Sequence, residues 1–316
     1  MRFHGLDLNL LVALDALLAE RNTIRAGERL NLSQSAASSA LVRLREHFRD
    51  DLLVQVGRNL VPTPRALELA PVIRSILLQI EGKVLSDADF DPETSTRRFR
   101  IMASDYVSMV SLRHGLRAIG KIAPSMRFEI LPVSLSPLEA MDRGEADLLI
   151  MPDFYLSPEH PTRLLFEDSY VCIAAAENRE IGDRLTFDQY LGFPHVTVRF
   201  SNGRQPAFED WFVGRFGQSR TIDITTSNHA TLPYFVAGTR RIATLHARHG
   251  QLAAQNLPLR LVEVPTEIPP IREVIQWNAI NSGDDAMMWV VEMLVAHHDQ
   301  ADHGHDTRLA EPFPAP

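Results

Sequence analysis

Residues 31–45 read NLSQSAASSALVRLR, with four serines and a glutamine crowded into the first two turns of a stretch whose Ala37, Leu41 and Leu44 recur at helical spacing. Ser33 is suited to cap the helix and Phe48 extends its apolar line. If that line faces a core, Gln34, Ser35, Ser38 and Ser39 lie on the outward flank near the positive end of the helix, where free N–H groups favour an anion. Small hydroxyls permit close approach to a phosphate backbone, and Gln34 can pair with adenine in a major groove. Capping and solvation account for one such serine, but poorly for the cluster.

Upstream, leucines 10, 11, 14, 17 and 18 predict a helix capped by Asp7 and running to about Arg21. Thr23 is expected to cap a second helix to Leu30, and Asn31-Leu32 then makes the tight turn of a helix-turn-helix. Downstream, Leu52–Pro62 reads as two short strands turning at Gly57 and Asn59, a wing with Arg58 at its tip. Thr63-Pro64 opens a long helix. Its Leu67, Ala70, Ile73, Leu77, Ile80 and Val84 form a seam expected to face the same helix of a second subunit, with Pro71 kinking the first turns. Residues 87–96, DADFDPETST, form a polar hinge.

Beyond the hinge, strands are predicted at 98–104, 127–132, 146–151, 170–174, 195–199, 221–225, 241–244 and 259–265, with helices between many of them. This is an α/β organisation with mainly parallel sheets. The tail from 301 to 316 is polar, proline-ended and expected to be disordered.

The length of 316 residues accommodates two domains, and no apolar run reaches the roughly 18 to 20 residues that cross a bilayer. Asp7, Asp15 and Glu20 interrupt the apolar N-terminus, so it does not read as a signal peptide; no membrane role and a cytoplasmic location are expected. Net charge is −8, but residues 21–65 carry eight arginines against four carboxylates. A basic head on an acidic body suits a phosphate-binding module fused to another domain. The single cysteine, Cys172, lies in an apolar strand and reads as a buried, inert thiol. Gly115–Lys121 matches a phosphate-loop spacing, but Ile122 replaces the required hydroxyl and the stretch is helical in pattern. His297, His298, His303 and His305 read as a solvated tail. No converging catalytic set, cofactor motif or metal site emerges, so an enzyme is not expected.

The order of parts resembles that of the LysR-type transcriptional regulators over nearly the whole chain. Residues 1–23 (MRFHGLDLNLLVALDALLAERNT), 30–48 (LNLSQSAASSALVRLREHF), 57–73 (GRNLVPTPRALELAPVI) and 90–106 (FDPETSTRRFRIMASDY) are similar to the nodulation-protein D branch and to aromatic-responsive relatives. Many members carry proline after the Ser-Gln pair, where this chain has Ser35.

The resemblance implies an α/β fold with an all-α-plus-wing head: a winged helix-turn-helix over 1–62, a dimerising linker over 63–91, and a two-lobed effector domain over 92–300 similar to periplasmic binding proteins. Lobe I would span 92–167 plus 268–300 and lobe II 168–267, with hinges near 165–167 and 265–270. A small aromatic inducer would occupy the cleft, held by Ser104, Asp105, Tyr106, Val133 and Ser134 from lobe I. From lobe II, Ser169, Phe200, Asn228 and His229 match pocket positions. Asp105 disfavours an anionic ligand. Capping explains any one of these polar residues equally well.

The expected function is a DNA-binding activator, dimeric or tetrameric, that meets an interrupted inverted repeat in promoter double-stranded DNA and contacts RNA polymerase. Gln34 would read bases; Ser33, Ser35, Ser38, Ser39, Arg43 and Arg58 would position phosphates. An aromatic-degradation operon is the leading target and flavonoid-responsive nodulation control the alternative. A solute-binding module, or an α/β enzyme with an accessory head, are the readings of another class.

Overall fold

The computed structural model describes residues 6–57, 59–83, 90–182, 184–199, 207–217 and 219–299. Arg58, Phe200, Val84 and the 301–316 tail lie outside them.

The head contains α1 (Asn9–Glu20), α2 (Thr23–Arg29) and α3 (Gln34–Phe48). Its caps differ by one residue from those expected for two helices. Leu8 is the N-cap of α1, while the Asp7 carboxylate accepts from the Asn9 N–H at 3.1 Å. Asn22, not Thr23, caps α2 by accepting from the Ile24 and Arg25 N–H groups: Asn22 holds the extended backbone that aims its side-chain oxygen at two free donors, whereas Thr23 is already the first helical residue. Ser33 caps α3 as expected, accepting from Ala36 N–H at 3.2 Å. Asn31 makes the turn at φ +54°, a left-handed conformation that asparagine tolerates. Ala37, Leu41 and Leu44 are buried, the last two against Leu10, Leu14 and Leu17 of α1.

The wing is an antiparallel pair, β1 (Leu53–Val56) and β2 (Asn59–Pro62), with Gly57 at φ +64° in the connection. Next comes α4 (Pro64–Lys83), capped by Thr63, whose hydroxyl accepts from Ala66 N–H and donates to Asp50 at 2.6 Å. Pro71 sits inside this helix. The predicted seam of α4 divides. Of its members Ile73 and Leu77 are buried in the head's own core because α1 supplies a nearby apolar partner, whereas Leu67 remains exposed, as do Val72 and Ile76, which lie outside the predicted seam.

The remainder forms two five-stranded sheets. The first has order β4-β3-β5-β12-β6, from β3 (Arg98–Ala103), β4 (Arg127–Leu131), β5 (Leu148–Pro152), β6 (Thr162–Asp168) and β12 (Ile271–Trp277). The second has order β11-β7-β10-β8-β9, from β7 (Tyr170–Ala175), β8 (His195–Val198), β9 (Ile222–Thr226), β10 (Ile242–His246) and β11 (Leu259–Val262). Both sheets are mixed rather than mainly parallel: β12 runs antiparallel to β5 and β6, and β7 antiparallel to β10 and β11. The chain crosses from the first sheet to the second at Ser169 and returns between Val262 and Ile271, so two adjacent connections join the lobes.

In lobe I, α5 (Asp105–Val107) continues through a π-helical segment, Ser108–Leu112, into α6 (Arg113–Ile122), which packs with α11 (Asp285–Ala296) on one sheet face. The other face is covered by α7 (Pro137–Asp142) through Ala140 and Met141. Lobe II carries α8 (Phe187–Gly192), α9 (Ala207–Phe216) and α10 (Ala247–Asn256). The aromatic side chains Tyr190, Phe208 and Phe212 fill its core beside α8 and α9.

Candidate nucleic-acid interface and effector cleft

On α3 the burial pattern turns the polar flank outward: Ser33, Gln34, Ser35, Ser39 and Arg43 are exposed and Ser38 is half-buried. Ser33 and Ser35 hydroxyls lie 2.9 Å apart, so the first turn presents a small polar ridge at the free N–H end of the helix. Arg43 is held within the molecule by Asp7 at 3.0 Å, a half-exposed pair of the kind that contributes little to stability and exchanges easily for another anion. Arg45, by contrast, donates to the carbonyls of Asp51 and Leu53, tying α3 to the wing.

The effector candidates fall at the ends of strands where the lobes meet, and most are committed internally. Ser104 caps α5 by accepting from Val107 N–H at 3.2 Å. Asp105 reaches across to lobe II and accepts from Ala230 N–H at 2.7 Å, bridging the cleft. Tyr106 is 1% exposed; its phenol donates to Asp168 at 2.5 Å and its ring stacks on His246 at 4.2 Å. Tyr106 is therefore a core residue of the hinge and not an open pocket wall, since burial and the Asp168 carboxylate hold its hydroxyl protonated far beyond the usual phenol range.

Val133 packs beside Ala140 and Met141. Ser134 donates its N–H to the Met102 sulfur, while its hydroxyl is buried without a hydrogen-bond partner. Ser169 is exposed at the crossover, with its N–H on Asp168 and its carbonyl accepting from Ala247. Asn228 caps a turn through the Thr231 N–H and hydroxyl. His229 is buried with its ring centre 5.8 Å from Tyr106 and 5.8 Å from His246.

Three residues that sequence reasoning did not single out complete this region. His246 ends β10 and His249 lies in the first turn of α10; the Nδ1 atoms of both are buried without a partner. Burial holds His229 and His246 below the usual histidine range and lowers His249 to about 4, so all three rings are neutral at pH 7. Glu273, in β12 just after the returning connection, is pushed up to about 8 by burial and by the nearby Asp168 and Asp153 carboxylates, and it carries a proton at neutral pH. The strand ends between the lobes thus gather buried, neutral imidazoles and aromatic faces, with the carboxylates of Asp105 and Asp168 on the lobe I side.

Residues 8–67 match the model of the bacterial regulatory helix-turn-helix protein, lysR family, and residues 92–299 match the LysR substrate binding domain. The chain belongs to the LysR family of regulators. This LysR-family chain is 43% identical over 295 residues to nodulation protein D 2 of Rhizobium tropici, covering 93% of this chain and 94% of that one. It is 41% identical over the same coverage to nodulation protein D 1 of Mesorhizobium japonicum. Among solved structures, a probable transcriptional regulator from Pseudomonas aeruginosa superposes with a TM-score of 0.64 at 27% identity, covering 93% of this chain and 98% of the other. Full-length OxyR from the same organism matches at TM-score 0.73 and 16% identity over 93% and 96% of the two chains, a likeness of fold.

As a LysR-family regulator the chain is not an enzyme. Its phosphate-loop lookalike lies within α6, and Cys172 is wholly buried with its thiol pushed up to about 12. Among the described residues no helix is long and apolar enough to cross a membrane.

Proposed function

We propose that this regulator is an activator of nodulation type that answers to a polyhydroxylated aromatic inducer of the flavonoid class. The observation that carries the proposal is the end-to-end likeness to nodulation D proteins, spanning head and effector domain together. It favours the nodulation alternative over control of an aromatic-degradation operon. The chemistry of the cleft supports the same choice. Neutral His229, His246 and His249 suit phenolic hydroxyls and the ring faces of an aromatic, and the Asp105 carboxylate repels a salicylate-like anion.

In this proposal α3 enters successive major grooves of an interrupted inverted repeat in promoter DNA. Gln34 reads a base, and Ser33, Ser35, Ser38, Ser39, Arg43 and Arg58 position phosphates. The exposed Leu67, Val72 and Ile76 stripe on α4 supports a homodimer or homotetramer. Ser104, Asp105, Val133, Ser134, Ser169, Phe200, Asn228 and His229 hold the inducer, and lobe movement changes DNA bending and polymerase contact in the cytoplasm. Calorimetric titration tests the inducer class. Binding of a tetrahydroxyflavone with no heat from salicylate supports it, and the reverse order overturns it.

A further inference from the structure

A single arginine joins three parts of the molecule. Arg74, in the middle of α4, is 9% exposed, and its guanidinium donates through Nη1 to Asp15 of α1 at 2.7 Å and through Nη2 to the Gly144 carbonyl at 2.9 Å. Asp15 belongs to the winged head, and Gly144 lies in the turn between α7 and β5 of lobe I. The fork geometry of a guanidinium permits this bridging, whereas a lysine ammonium is a single point charge on a flexible stem. Arg29 of α2 also approaches Asp15, at 3.7 Å, so the carboxylate ties α1, α2 and α4 together.

Gly144 is constrained twice. Its φ is +60°, and a Cβ built on it would lie 2.5 Å from Nη2 and 2.8 Å from Nε of Arg74. The first constraint belongs to the turn and holds whatever residue occupies position 74; the second exists only because the arginine lies there. The turn itself is firmly held. Asp142 at the end of α7 bonds His160 at 3.0 Å, and Asp147 just before β5 accepts from the Arg100 N–H at 2.7 Å. Beneath α7, Met141 and Ala140 pack with Met102 and Leu149 and against Val133 at the cleft lip. On the other side, α1 packs directly on α3.

We propose that Arg74 is a positioning residue that seats the DNA-binding head on lobe I, so that displacement of the α7–β5 turn is felt at α1 and through it at α3. This goes beyond the assignment of an inducer and does not depend on it. Physical contiguity alone does not establish coupling, and a double-mutant cycle does.

The test uses the full-length protein without DNA or inducer and follows hydrogen exchange in α1 (residues 9–20), with β3 and β12 as internal controls for an intact effector domain. Gly144→Ala pushes the guanidinium away and is expected to speed α1 exchange about tenfold, as loss of a buried charged hydrogen bond does, although the substitution lies in the other domain. With Arg74→Gln already present, Gly144→Ala is expected to add less than twofold at α1. Arg74→Lys, which leaves the turn unchanged and cannot reproduce the fork, is expected to speed α1 exchange with β3 and β12 unaltered; it carries the test if Gly144→Ala does not fold. A purely local role for Gly144 would disturb the 139–147 turn and leave α1 unmoved. Unchanged α1 exchange in Gly144→Ala or in Arg74→Lys, or an equal Gly144→Ala effect in both backgrounds, overturns the proposal.

Discussion

The outward flank of α3 and the lips of the inter-lobe cleft are both built from small polar side chains at helix starts, yet their groups are employed in opposite ways. On α3, Gln34, Ser35 and Ser39 are exposed to water. At the cleft, Ser104 and Asn228 are used as caps, Asp105 is bonded across to Ala230, and Tyr106 is locked on Asp168. A surface that receives a polyanion of fixed shape can be left hydrated, because bridging water serves its groups until the ligand replaces it. At the cleft most groups are satisfied within the chain, so an entering molecule has to break existing bonds, while the Ser134 hydroxyl and the Nδ1 atoms of His246 and His249 stay unpartnered and available to it. The α3 flank is left open to water, whereas the cleft lips are bonded to each other through Asp105 and Ala230.

The contrast breaks first at Gln34. Gln34→Ala is expected to reduce discrimination between operator and random duplex about 10- to 100-fold in a competition gel shift, with random-duplex affinity held within twofold. Equal losses on both DNAs would show that the flank positions but does not read.

The buried acid at the hinge gives the next effect. Glu273 has its folded value raised to about 8 from an ordinary 4.5, so the folded state holds a proton that the unfolded state has lost at neutral pH. The contribution of Glu273 to stability therefore falls as pH rises between those values. Between pH 6.5 and 8 Glu273 by itself removes about 2 kcal/mol, while the buried histidines, still half-protonated at pH 6.5 in the unfolded chain, act in the opposite direction. In chemical denaturation at pH 6.5 and 8 the two contributions should nearly offset in the parent protein, and Glu273→Gln should gain stability relative to the parent by about 2 kcal/mol over that interval; an equal pH dependence in both would contradict the assignment. On the acid side the sign reverses: His249, lowered to about 4, costs stability as pH falls through 6.5.

A smaller effect sharpens the closed-cleft side of the comparison. Asp105→Ala should speed amide exchange over residues 228–232 about tenfold by removing the bridge to Ala230. Unchanged exchange would mean that the cleft stands open in solution and resembles the head after all. The smallest expected change is at Arg43. Its pair with Asp7 is half-exposed, so Arg43→Ala should leave the denaturation midpoint nearly unchanged while lowering the salt slope of DNA binding by about one.

Much of the head was legible because amphipathic periodicity, a serine cap and a two-strand turn all specify it locally. The partner of α4 was not, since Ile73 and Leu77 meet α1 across some sixty residues of sequence and nothing local announces that contact. The same limit hid β6 and β12. Their sequences, TRLLFED and IREVIQW, mix charge with apolar residues, and Glu273 and Gln276 are buried where a strand pattern calls for apolar side chains. Gln276 is satisfied there by the Ser157 backbone, a tertiary contact. His246 and His249 could have been found, because IATLH followed by ARHG is the same strand-to-helix turn that drew attention to Ser104. The involvement of Tyr106 in the hinge could not, as it depends on Asp168 reaching it from another strand.

The claim that the α3 flank meets the duplex has a direct test in the chain's own chemistry. Cys172 is wholly buried, so Ser39→Cys adds an accessible thiol that can carry an iron-chelate DNA-cleaving group. On an operator selected in vitro, strand cleavage should centre on major-groove edges within each half-site of the inverted repeat. Cleavage confined to the minor groove, or scattered evenly along the fragment, would contradict the account.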